Sequence, residues 1–293
     1  MYVVLKNSSE QTVRVDFCRK MDLKPSDGYF DLCINVTSEN IDCLDDILSR
    51  LYQMGYRTVA LNQTVHEDSF LGKCKKKKMQ GDEMIKPIWN VVPNPIDVSK
   101  LHEKFNGTLC ILNRITFICS DTKRTHTMSQ CPNLRKYHLY VIVPTKQDML
   151  EYACSQLNAD IISIRPQISS IKLNRKLYHF ATRRGLCFEI QYADILNPGT
   201  CVESIHYSHL LHMYRKSENV IISSGATKSH LIRSPYDIIN LGFILGLSES
   251  KSKAAILDQC QLLLLRARRR VLNKAVFVVE FTKDKTMEED DSD

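Results

Sequence analysis

The chain has 293 residues, 43% hydrophobic, 25% charged and 8% aromatic, and its 40 Lys and Arg against 33 Asp and Glu give a formal charge of +7. This balance excludes wholesale disorder, a collagen-like rod and a coiled coil. The length suits one large domain or two small ones, and no apolar run approaches the roughly 20 residues of a membrane helix, so no membrane partner is expected.

Met1–Glu10 lacks the basic-then-apolar form of a secretory signal. Residues 1–28 read as an N-terminal extension, ending on the turn cluster Lys24-Pro25-Ser26-Asp27-Gly28. An alternation then begins. Tyr29 to Val36 is strand-like. Ile41 to Met54 carries Leu44, Ile47, Leu48 and Leu51 at helical spacing, with Gly55 as its stop. Thr58 to Leu61 is a short strand. Residues 63–95 read as a long lysine-rich loop insertion holding Lys73, Lys75, Lys76, Lys77 and Lys78, a candidate for nuclear import or phosphate binding.

Val98 to Phe105 reads as a short helix and Leu109 to Cys119 as a strand. Leu139 to Val143 is a strand ended by Pro144, Lys146 to Leu157 a helix and Ile161 to Ile164 a strand. Asn174 to Arg184 is helical and stops at Gly185. Leu186 to Tyr192 is a strand, Cys201 to Lys216 a helix and Val220 to Ile222 a strand. Pro235 to Leu245 is a helix with Pro in its first turn. Ser248 is the expected N-cap of a helix running to about Arg269, with the stripe Ile256, Cys260, Leu263, Leu264 and Ala267. Its closing arginines, Arg266, Arg268, Arg269 and Arg270, fit either a helix C-terminus or a phosphate-binding patch. Ala275 to Phe281 is a last apolar run. Thr282 to Asp293 is acidic and is expected to be disordered; without it the body has 38 basic and 27 acidic residues, or +11.

Short apolar strands rich in branched residues are those buried on both faces of a parallel sheet wrapped by helices. Seven or so such units in about 250 residues predict a closed (β/α) barrel, with an open doubly wound sheet as the alternative. No boundary separates two cores, so one domain over residues 29–281 is expected.

The chemistry-bearing motifs are sparse. There is no G-x-G-x-x-G, no G-x-x-x-x-G-K-[ST], no G-x-S-x-G and no H-E-x-x-H. The 11 cysteines form no C-x-x-C pair and read as reduced, small apolar residues of a cytosolic or nuclear protein. His206, His209 and His212 sit on one helix without an interleaved acidic ligand, and the first strand, Asp31-Leu32-Cys33-Ile34-Asn35, has no histidine to begin a metal site. His66, beside Glu67 and Asp68, follows the second strand. Val220-Ile221-Ile222-Ser223-Ser224-Gly225-Ala226 is the sharpest local feature. At a barrel mouth its backbone N–H groups and hydroxyls suit a phosphate, with Lys228 and Arg233 to neutralise it; tight strand-to-loop packing explains the same residues.

Several ordered blocks resemble the thirty-kilodalton protein subunit of nuclear ribonuclease P and ribonuclease MRP. They are Asp31-Leu32, Gly55-Tyr56 with Val59-Ala60-Leu61-Asn62, Arg114-Ile115-Thr116, Val143-Pro144, Asp160-Ile161-Ile162, Arg184-Gly185-Leu186 with Phe188-Glu189-Ile190, and Asn219 to Ser224. Arg233-Ser234-Pro235-Tyr236-Asp237, Asn240-Leu241-Gly242 and Gly246 to Ser250 complete them. The resemblance implies a TIM-like (β/α) barrel of the metal-dependent phosphoesterase type without its metal ligands, and hence no cofactor. It implies a non-catalytic, RNA-binding subunit of a nuclear and nucleolar ribonucleoprotein whose RNA removes the 5′ leader of precursor tRNA, the MRP form acting on ribosomal RNA. Partners would be ribonuclease P RNA, MRP RNA, a small RRM-like subunit and other ribonuclease P proteins, with precursor tRNA met indirectly. The N-terminal extension, the lysine-rich insertion and the short acidic tail depart from the family pattern.

An RNA subunit needs cations aimed at phosphates, and arginine holds them bidentately. Arg114, Arg175, Arg184 and Arg233 are the expected RNA contacts, with Lys228, Ser223 and Ser224 at the serine-glycine turn. For Arg114 the alternative is a carboxylate partner in the barrel mouth; for Arg184 it is a helix-end contact. The rival functions are a metal-dependent phosphoesterase on the same barrel and a pure protein adaptor.

Overall fold

The computed structural model describes residues 28–67, 92–165, 168 and 171–272. The expected N-terminal extension up to Asp27, the lysine run, the last apolar run and the acidic tail lie outside these residues.

Seven parallel strands run in chain order around one sheet: β1 (Tyr29–Asn35), β2 (Tyr56–His66), β3 (Cys110–Cys119), β4 (Leu139–Pro144), β5 (Ile161–Ser163), β6 (Cys187–Gln191) and β7 (Val220–Ser223). An isolated parallel bridge between Ile34 and Ala226, with Gly225 N–H donating to the Cys33 carbonyl at 2.9 Å, closes β7 back onto β1. The expected barrel is therefore the observed one, and the open sheet is not.

Most of the outer helices form where their spacing placed them. They are α1 (Leu44–Gln53), α2 (Ser99–Lys104), α3 (Thr122–Ser129), α4 (Gln147–Ser155), α5 (Arg175–Arg184), α6 (Tyr192–Leu196), α7 (Cys201–Arg215), α8 (Pro235–Ile244), α9 (Glu249–Ile256) and α10 (Asp258–Leu272). Helix α1 buries Leu44, Ile47, Leu48 and Leu51, the stripe read from the sequence. Asn174 caps α5 by accepting from the Leu177 N–H, and Gly185 ends it at φ +82°, where a Cβ would be strained. Ser234 and Asp237 form a reciprocal capping box on α8.

Two expectations need correction, and helix α3 is an addition to them. Strand β2 runs on to His66, because Gln63 to His66 pair with Ile115 to Ile118 of β3; the loop expected from residue 63 starts later. The long helix expected after Ser248 is two helices broken at Leu257, whose backbone leaves the helical region at φ −133°, ψ −88°. Helix α3 was not expected, since Thr122–Ser129 has no apolar stripe; Asp121 starts it by accepting from Lys123 N–H.

The break at Leu257 has a structural use. It lets α10 turn across the N-terminal end of the barrel, where Cys260, Leu263, Leu264 and Ala267 pack against Phe30, Leu32, Ala60, Leu112, Val141, Ile161 and Ile221 from the strands. Arginines from the expected basic patch fasten this plug. Arg270 grips Asp160 at 2.7 Å and the His138 carbonyl at 3.3 Å, and Arg266 donates to the Gly185 carbonyl at 2.8 Å. All three acceptors precede strands, so they rim the N-terminal mouth. The other end of the barrel is its C-terminal mouth.

Candidate site at the C-terminal mouth of the barrel

Above the apolar plug the barrel interior turns polar. Arg114 on β3 and Glu189 on β6 point inward and meet as a two-pronged ion pair, both completely buried. The second prong is 2.7 Å long, and Arg114 also donates to the Leu32 carbonyl at 2.7 Å. Glu189 accepts further from Ser223 Oγ at 2.8 Å and Gln191 Nε2 at 2.9 Å. Burial alone would raise the Glu189 carboxyl, but the Arg114 charge and these donors hold it down at about 2. Glu189 is therefore an anion at neutral pH.

A neutral ring lies beside this pair. Thr116 donates to Asn62 Oδ1 at 2.6 Å, Asn62 donates to Asn35 Oδ1 at 2.7 Å, and Asn35 donates to the Gly225 carbonyl at 2.8 Å. Gln191 reaches Cys33 Sγ at 3.5 Å. Burial pushes the Cys33 thiol up to about 12, so it stays protonated and is no nucleophile.

The serine-glycine turn seals the seam between β7 and β1. Ser224 N–H donates to Asp31 Oδ1 at 3.0 Å, and Ser224 Oγ donates to the Cys33 carbonyl at 2.9 Å. Gly225 has φ +63°, and a Cβ there would lie 2.7 Å from Gln191 Oε1. Small residues are needed here because the chain crosses the seam against packed side chains. Asp31 is fully buried, its Oδ2 has no partner, and burial raises its carboxyl to about 6.

These residues do not fit a divalent cation. The neutral donors of the mouth are bonded to one another, the Glu189 carboxylate already holds a guanidinium, and Asp31 alone cannot hold a metal. Among the described residues, no group of three or more His, Cys, Asp or Glu is placed to hold a metal. His206, His209 and His212 are exposed on α7, and His209 is spent on the Ile244 carbonyl at 2.9 Å.

The expected RNA contacts divide accordingly. Arg114, Ser223 and Ser224 are buried and committed to Glu189 and the seam, so they have no surface to offer a phosphate; that expectation is corrected. Arg184 is exposed in part, but its guanidinium donates to the carbonyls of Ala153, Cys154 and Leu157 at 3.2, 3.1 and 2.7 Å, which is the helix-end alternative. Arg233 is half-buried and donates to the carbonyls of His230 at 2.8 Å and Ile232 at 3.3 Å. Arg175 and Lys228 are exposed.

A family model described as RNase P subunit p30 matches residues 28–272, the whole barrel with its plug. The chain belongs to the RNase P subunit p30 family. Two similar relatives are Ribonuclease P protein subunit p30 of Mus musculus and Ribonuclease P/MRP protein subunit RPP1 of Saccharomyces cerevisiae. The first is 27% identical over 83% of this chain and 87% of its own length, the second 25% identical over 84% and 78%. The barrel also superposes on a chain in a cryo-electron microscopy structure of archaeal ribonuclease P with mature tRNA. That match has a TM-score of 0.57 and 15% identity and covers 89% of this chain and 100% of the other, a likeness of fold. This p30-family barrel thus combines a plugged N-terminal end with a C-terminal mouth filled by its own ion pair.

Sequence reasoning missed Glu189 as the Arg114 partner, although a lone carboxylate within the apolar run Phe188-Glu189-Ile190 was a usable signal. It also missed Arg165, which follows β5 at the mouth and reaches Gln191 Oε1 at 3.4 Å.

Proposed function

We propose that this chain is a protein subunit of ribonuclease P, and of ribonuclease MRP, that supplies no catalytic group and helps hold the catalytic RNA in shape. The observation that carries the reading is the filled mouth of a p30-family barrel. Where a barrel enzyme keeps an open, reactive site, this one places a saturated Arg114–Glu189 pair and a neutral hydrogen-bonded ring. Neither Glu189 nor Cys33 is poised as a general base: Glu189 is held ionised by a guanidinium and Cys33 is held protonated.

RNA contact then belongs to the outer surface, through Arg175, Lys228 and the free edge of Arg233. The nuclear and nucleolar location, the small RRM-like partner subunit and a role for the lysine run at residues 73–78 in import belong to this same reading. Named relatives that are ribonuclease P and MRP subunits support it.

The test is leader removal by the purified chain alone. Incubated with precursor tRNA or a generic phosphoester, with zinc, manganese or magnesium supplied, it is expected to show no turnover. Turnover that follows added metal and survives ribonuclease treatment would establish the phosphoesterase instead.

A further inference from the structure

Helix α5 presents a one-sided surface. It carries Arg175, Lys176, Arg183 and Arg184 and no carboxylate. Its inner face, Leu177, Tyr178, Ala181 and Thr182, is buried, so the cations line the outside. Arg175, His179 and Arg183 repeat at four-residue spacing and form one row. Arg215 from the end of α7 joins it, with its guanidinium against His179 Nδ1. The carboxylate at this edge, Glu218, is already paired with Arg215.

A second row runs beside the first. Lys176 and Phe180 are one turn apart, and the ammonium lies 5.9 Å from the ring centre. Phe180 is 40% exposed although the apolar interior of the protein is close by. The ring face is therefore within reach of a ligand and has a cation beside it. Burial first, and then the charges of Arg183 and Arg215, lower the His179 pKa, with Glu218 opposing and Arg175 adding to the fall.

Cations beside an exposed aromatic ring are the elements of a single-strand RNA platform. Phosphates meet the arginines, and an unstacked base lies on the ring. We propose that the outer face of α5, with Phe180 as the stacking surface and Arg175, Lys176, Arg183 and Arg215 as phosphate holders, binds an unpaired segment of RNA. A duplex keeps its bases stacked and has none to give Phe180, so the face distinguishes unpaired from paired RNA. The inference rests on the reading of the chain as an RNA-binding subunit and names the site and the kind of RNA it takes.

The full chain is tested by fluorescence anisotropy against an oligouridylate single strand and an RNA duplex over a salt series. Phe180→Ala is expected to weaken single-strand binding about tenfold, to leave the salt slope unchanged and to leave duplex binding unchanged. Changing Arg175, Lys176 and Arg183 together to Gln is expected to reduce the slope of log affinity against log salt by about two. Lys251→Gln with Lys253→Gln on α9 is the surface control and is expected to change neither. All are exposed positions, and a thermal melt confirms that each variant folds. Unchanged single-strand affinity in Phe180→Ala overturns the platform, as does a polyglutamate peptide that competes as well as the oligouridylate. Loss of binding only in the α9 control also overturns it. If the unmodified chain binds no RNA at all, the broader reading falls together with this one; if it binds and the α5 variants match it, only this one falls.

Discussion

At the residue scale, two buried carboxylates in one barrel are governed by opposite terms. Glu189 has a guanidinium and stays ionised; Asp31 has two N–H donors on one oxygen, nothing on the other, and a raised pKa. The signs for stability therefore oppose. Glu189, depressed to about 2, contributes stability that is present above the ordinary carboxylate pKa and is lost as pH falls towards 2. Asp31, raised to about 6, is bound to its proton more tightly when folded, so its contribution falls as pH rises from about 4 to about 6. Replacing Asp31 with Asn removes that ionisation. The melting temperature of Asp31→Asn relative to the unmodified chain should rise between pH 4 and pH 7 and then level off. A difference that stays flat across that range contradicts the raised Asp31 pKa.

The same scale shows what one sequence hides. Arg114 read as a phosphate contact because arginine in a family block is chemically ambiguous. Its partner lies 75 residues away on β6, a distance that no local spacing reports. Ser223 and Ser224 suffered the same ambiguity: a serine-glycine turn serves a phosphate or a seam, and here it serves the seam.

At the element scale, local rules were legible wherever the element carries its own signal. Helix α5 has both its cap and its stop in the sequence, Asn174 and Gly185, and formed as read. The β/α alternation and short apolar strands were enough to predict closure of the sheet. Elements held by tertiary contact were not legible. The end of β2 is polar and is a strand because β3 pairs with it, and α3 has no stripe of its own. The sequence also could not distinguish a basic helix end from a latch.

The latch can be tested by removing its guanidinium. Asp160 is 6% exposed and takes three bonds from Arg270 and one from the Tyr140 N–H at 2.8 Å. Arg270→Met leaves this carboxylate buried with one donor. The expected loss is roughly 3–5 kcal/mol of unfolding free energy in a urea titration, as for other broken buried pairs. Adding Asp160→Asn should recover part of it. A loss below about 1 kcal/mol would place Arg270 among ordinary surface cations and remove it from the latch.

At the scale of the whole molecule, the modest +7 divides into an acidic last segment and a +11 body. In the fold, part of that positive charge is structural: Arg114, Arg184, Arg266 and Arg270 hold the barrel together from within and below. What remains outside, the outer face of α5 included, is the charge proposed to meet RNA. A barrel closed at one end by a helix and filled at the other by an ion pair is a rigid body whose outer surface does the work. The central claim is that this body serves an RNA that is itself the catalyst. The most direct measurement is to isolate the chain from its own cells under native conditions and sequence the RNA that accompanies it. The account predicts strong enrichment of one structured RNA, with leader-removing activity on precursor tRNA that disappears when that RNA is digested. Recovery of the chain with no enriched RNA, or activity that survives the digestion, would contradict it.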